Sequence, residues 1–138
     1  MKRTYVGMFC LLSGMVIMTA CEKKPPCEPG ELSATFKEEP LAKAIPTGAD
    51  VTVCKVSDGE THAQFWRPTK VFRATMDSTS AAQDNGWTRN DDNWYNSRDT
   101  SERPKWSELS NAKGKLRIDI KEAGGGAMID YTFTPAAK

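Results

Sequence analysis

Two runs near the carboxyl end most constrain what this chain can fold into. Leu116, Ile118 and Ile120 alternate with Arg117, Asp119 and Lys121, and Ile129, Tyr131 and Phe133 alternate in the same way a few residues on. A period of two puts the apolar members of each run on one side of an extended strand, so each is a half-buried strand. Glu122 to Ala127, with three glycines, turns the chain between them. Glycines that cradle a phosphate join a strand to a helix, whereas these join strand to strand, so the Gly124–Gly126 run reads as a hairpin turn.

The same pattern starts at Asp50. Val51 to Val56 alternates, Ser57-Asp58-Gly59-Glu60 supplies turn residues, and Thr61 to Arg67 alternates again. These two runs pair as an antiparallel hairpin, with Ala63 and Phe65 on one side and His62, Gln64 and Trp66 on the other. Pro68 closes the second strand. Thr69 then caps a helix over about residues 70–84 whose inner stripe is Phe72, Thr75, Met76, Thr79 and Ala82 or Gln83. Asn85-Gly86 stops that helix, and Trp87 opens a return strand and plugs the corner between helix and sheet. A turn at Asn90-Asp91-Asp92-Asn93 leads to Trp94-Tyr95-Asn96, and a polar loop runs to a short apolar segment at Trp106 and Leu109. The expected order is β-β-α-β-β-β-β: class α+β, one helix on a small twisted antiparallel sheet.

The amino end has another character. Lys2 and Arg3 precede an apolar stretch from Val6 to Ala20, followed by Cys21. A helix over that stretch spans about 22 Å, less than the ~30 Å hydrocarbon core of a bilayer, which favours an export signal over a permanent span. Met18-Thr19-Ala20-Cys21 resembles the lipobox of bacterial lipoproteins, and the resemblance covers residues 1–21 only. It implies removal of residues 1–20, with Cys10 among them, a diacylglycerol on the Cys21 sulfur, and a fatty-acyl chain such as palmitate on the new amino end. It also implies a bacterial envelope protein held to the membrane at Cys21. Glu22, in place of an aspartate, leans toward the outer membrane where the host has one.

Residues 21–49 carry five of the eight prolines and many charges. They read as a tether before a domain over residues 50–138, with a short helical turn within residues 38–45. Cys27 and Cys54 remain as a pair on the oxidising side of the membrane, where a disulfide is the first expectation. Free thiols and a metal site with His62 are the alternatives. On the chain-entropy model the bridge stabilises by about 3–4 kcal/mol.

Composition narrows function. A net charge of +1 and no basic cluster exclude a nucleic-acid partner. With one histidine, His62, near Asp58 and Glu60 but with no serine or cysteine partner at a recognisable motif, nothing points to an enzyme, a resident metal or a cofactor. Asp84, Asn90, Asp91, Asp92, Asn93 and Asp99 gather hard oxygens, but their spacing lacks the glycine and closing glutamate of a calcium loop. Four tryptophans are many for so short a chain. Trp66 falls on the polar side of its strand, and Trp94-Tyr95 follows a polar turn, so these three are the candidate contact residues, with core filling as the other reading. The function expected is a protein-interaction or assembly module of the envelope; binding of cell-wall glycan or a small ligand through the aromatics is the alternative. Cys21→Ser should abolish incorporation of a fatty-acid probe and leave uncleaved precursor; normal labelling and maturation of the serine variant would refute the lipidation.

Overall fold

The computed structural model describes residues 23–90 and 106–137. Two helical turns come first, α1 (Ala34–Lys37) and α2 (Leu41–Ala44), followed by strands β1 (Thr52–Cys54) and β2 (His62–Arg67). Helix α3 (Val71–Asp84) leads to β3 (Thr88–Arg89), β4 (Trp106–Asn111), β5 (Gly114–Ala123) and β6 (Gly126–Pro135). The strands form one sheet in the order β1-β2-β6-β5-β4-β3, antiparallel throughout. The α+β class and the order of strands about the main helix are as the sequence predicts, but the fourth described strand is the Trp106–Asn111 segment. The strand expected at Trp94-Tyr95-Asn96 lies outside the described residues.

The β5–β6 hairpin is the middle of the sheet. Gly124 and Gly125 turn it with φ of 60° and 74°, a left-handed pair that side chains with a Cβ resist. Opposite residues then match in kind: Leu116 faces Phe133, Ile118 faces Tyr131 and Ile120 faces Ile129. On the far side of β6, Ala63 faces Tyr131 and Phe65 faces Ile129. The Phe65 and Tyr131 rings meet edge to face at 5.4 Å between centroids.

Helix α3 covers this inner face. Its buried residues are Ala74, Thr75, Ser78, Thr79 and Ala82, while Phe72 is 45% exposed, Met76 is half-buried and Gln83 is exposed. Thr75, Thr79 and Ala82 of the expected stripe are buried, but Ala74 and Ser78 take the places expected of Phe72 and Met76, so that small side chains meet the sheet. Thr69 provides no cap; Lys70 occupies the cap position without a side-chain hydrogen bond. The stop at Asn85-Gly86 is as expected, with Trp87 N–H donating to Ala82 O at 3.1 Å and Gly86 N–H to Gln83 O at 3.3 Å. Trp87 is buried at the corner, edge-on to Phe133.

Residues 28–45, read above as part of a tether, are folded onto the domain. Phe36, Leu41, Ala44 and Ile45 are buried in the same core as Phe65 and Ile118, and α2 packs on α3. The core thus extends upstream of residue 50. Prolines in this stretch do not hold it away from the sheet, because its few apolar side chains recur at a spacing that two helical turns bring to one side.

The interior is not wholly apolar. Thr79 and Ser107 hydroxyls meet at 2.9 Å between helix and β4. The Tyr131 hydroxyl is buried close to Ser78, yet neither hydroxyl makes a hydrogen bond of normal geometry. Burial pushes the Tyr131 phenol above its ordinary pKa; the neighbouring Ser78 hydroxyl and Arg67 charge only partly oppose it. A tyrosine in the unfolded chain ionises at about 10, so the native state holds its proton more tightly and stability falls as pH rises beyond that value. Tyr131→Phe should leave stability at neutral pH unchanged or slightly higher, because it removes an unsatisfied buried hydroxyl. It should also flatten the alkaline loss of stability; denaturant titrations across pH 8–11 provide the check.

Candidate functional site on the outer face of the sheet

The face of the sheet opposite α3 has two halves. One half is closed. Cys27 and Cys54 are joined by a disulfide, with a Cα–Cα distance of 5.6 Å. Beside it, Gly30 N–H donates to Val53 O at 2.9 Å and Lys55 N–H to Glu28 O at 2.7 Å, so the incoming chain pairs along β1. Cys54, Trp66 and Met128 form a second buried cluster with Cys27 and Ala123 against it.

Trp66 is therefore not a contact surface. It is 2% exposed, and its indole N–H donates to Ala123 O at 2.7 Å. The β5–β6 turn folds so close that a Cβ on Gly126 would sit 2.8 Å from the indole ring. Alternation put Trp66 on the right face, but cover arriving from the disulfide and the turn buries it. Trp94 and Tyr95, the other two aromatic candidates, lie outside the described residues, as does Cys21.

The other half of the face is open and polar. Gln64 Nε2 donates to Asp130 Oδ1 at 2.8 Å, and His62 Nε2 lies 3.4 Å from the same oxygen. Asp119 stands directly opposite Asp130 in the β5–β6 register. Two carboxylates facing each other across strands destabilise unless each has its own partner. Asp119 has one: Arg117 grips it with Nε at 2.9 Å and Nη2 at 3.2 Å. That hydrogen bond is the main cause of the raised Arg117 pKa, which burial opposes more weakly. The guanidinium carbon also lies 4.7 Å from the centroid of the Trp106 ring. Trp106 pairs with Asp119 in the β4–β5 register.

These residues border a shallow depression of about 280 Å³ lined by Trp106, Asp119, Ile120, Lys121 and Asp130. The arrangement offers a half-exposed ring held by a cation, next to two carboxylates and an ammonium group. It suits recognition by stacking and charge-assisted hydrogen bonds. Among the described residues no three His, Cys, Asp or Glu side chains gather where they would hold a metal ion.

Trp106 is the residue that sequence reasoning passed over. Strand parity was the available signal: Leu109 belongs to the core, so Ser107 shares its side and Trp106 and Glu108 point the other way. Burial agrees, with Ser107 and Leu109 buried and Trp106 and Glu108 only partly so. Compared with known proteins, the chain matches no family model, no curated protein and no solved structure.

The two tryptophans separate in their cost. Trp66→Ala should destabilise by about 3–5 kcal/mol, and Trp106→Ala by under ~1 kcal/mol, in equilibrium urea unfolding. Equal losses would remove Trp106 from the surface site.

Proposed function

We propose that this is a lipid-anchored bacterial envelope protein that acts by binding another envelope protein, using the open half of its sheet around Trp106 and Arg117. The anchor is Cys21, from the lipobox-like ending of the apolar stretch, and Glu22 favours the outer membrane where one exists. The observation that carries the binding reading is the Trp106–Arg117–Asp119 constellation. A large ring is held outward on a polar face, in a position the core does not use. Aromatic and arginine side chains of this kind dominate the energetics of protein interfaces. Recognition is the chemistry this surface offers: a ring held by a guanidinium among charged and amide groups, with His62 Nε2 3.4 Å from Asp130 Oδ1 on the same face.

A second reading, a glycan or small-ligand module, is favoured by one feature, the two carboxylates beside an aromatic ring in a depression. At about 280 Å³ that depression is at the small end for ligand pockets. A protein partner fits the shallow surface better.

A photocrosslinking residue in place of Glu108, beside Trp106, should yield one discrete protein adduct in intact envelopes. Adding Trp106→Ala should reduce that adduct at least tenfold, with the melting temperature almost unmoved. Adducts only with glycan, or protein adducts insensitive to Trp106→Ala, would overturn the protein-binding reading.

A further inference from the structure

The chain reaches the domain at the β5–β6 turn. A Cβ on Gly124 would stand 2.8 Å from Lys24 O, and one on Gly125 would stand 3.3 Å from the Lys23 side chain. Residues 23–26 thus lie across this turn. Lys23 and Lys70 both line the cleft of about 340 Å³ beside it, with Glu122 the carboxylate in that lining. Lys23, Lys24 and Lys70 are exposed, and no carboxylate among the described residues forms an ion pair with them.

We propose that this end of the domain rests on an anionic lipid surface, with Lys23, Lys24 and Lys70 against headgroup phosphates. The proposal rests on anchoring at Cys21, because two residues of chain reach at most about 7 Å and so hold Lys23 next to the acylated cysteine. A lysine close to an anionic bilayer raises partitioning about fivefold, so three together orient a domain that the acyl chains already hold. The β5–β6 turn also sets the height of Trp106. At ~3.3 Å per residue, the β4–β5 turn at Asn111–Gly114 lies about 30 Å along the strands from the lipid-facing turn. Trp106, paired with Asp119 midway along β5, stands roughly 16 Å from that turn, within reach of a partner beside the domain.

The test uses the full acylated chain in phosphatidylcholine vesicles with and without phosphatidylglycerol, carrying a fluorophore on Thr69→Cys or on Lys113→Cys. Spin-labelled headgroups should quench the label at position 69 several-fold more than that at 113 when phosphatidylglycerol is present. Lys23→Glu, Lys24→Glu and Lys70→Glu together should remove most of this preference, with the thermal melt confirming that the variant is folded. Intact mass read beforehand reports the acyl group on Cys21, and its absence overturns the anchor and this orientation together. An acylated, folded chain quenched equally at 69 and 113 overturns the orientation alone, and a preference indifferent to the three reversals overturns the role of the lysines.

Discussion

The disulfide between Cys27 and Cys54 decides which part of the sheet is left open. It ties the incoming chain to β1 across a sequence separation of 27, a closure that contributes about 3.5 kcal/mol on the chain-entropy model. The tie brings residues 23–30 over one end of the outer face, where Trp66, Met128 and Ala123 need cover. Backbone pairing of Glu28 and Gly30 with β1 also occupies that edge of the sheet, which would otherwise present free donors and acceptors to another chain. One covalent bond thus buries an indole, protects an edge and leaves the Trp106 half of the face to solvent.

The core beneath divides its labour by size. The sheet supplies the large side chains: Phe65, Leu109, Leu116, Ile118, Ile129 and Tyr131 are each at most 1% exposed. The helix answers with alanine, serine and threonine, which let its backbone approach while the sheet's side chains fill the space between. This complementarity explains why Phe72 is turned outward: a ring in the place of Ala74 or Ser78 would hold the helix off the sheet. It also explains the polar atoms under the helix. Serine and threonine serve as small residues here, and Thr79 with Ser107 satisfies its hydroxyl in doing so.

Strand parity made much of this legible in the sequence. The alternation through Leu116–Lys121 and Ile129–Phe133 reports the faces of β5 and β6, and Ala63 with Phe65 reports that of β2. The Cys27–Cys54 pairing is the expectation that remains once the lipobox resemblance sets Cys10 and Cys21 aside. What could not be read is cover that arrives from far along the chain. Trp66 has the parity of an exposed residue and is buried by segments roughly 40 and 60 residues away. The helix stripe was legible at Thr75, Thr79 and Ala82 but not at its edge, for a related cause: hydrophobicity chose Phe72 and Met76, whereas the geometry of close packing chose Ala74 and Ser78. Upstream, Phe36, Leu41 and Ile45 are too few among prolines and charges to signal a core, and they become one only against a sheet that follows them.

The proposed attachment to a membrane would suit a small open face. The patch centred on Trp106 is one ring, one guanidinium and a few carboxyl and ammonium groups, with Ile120 the aliphatic residue in its lining. Free in solution, a surface of that kind makes transient encounters. With the anchor proposed at Cys21, confinement to one membrane raises the local concentration of partners in that membrane above its value in free solution, so a weaker affinity suffices. Under that condition specificity matters more than strength. In the proposed binding, the bidentate Arg117–Asp119 pair would supply it by fixing the ring's orientation before contact, so less side-chain freedom is lost. The facing carboxylates Asp119 and Asp130 add discrimination of another sort, disfavouring acidic surfaces and accepting donors from basic or amide-bearing ones.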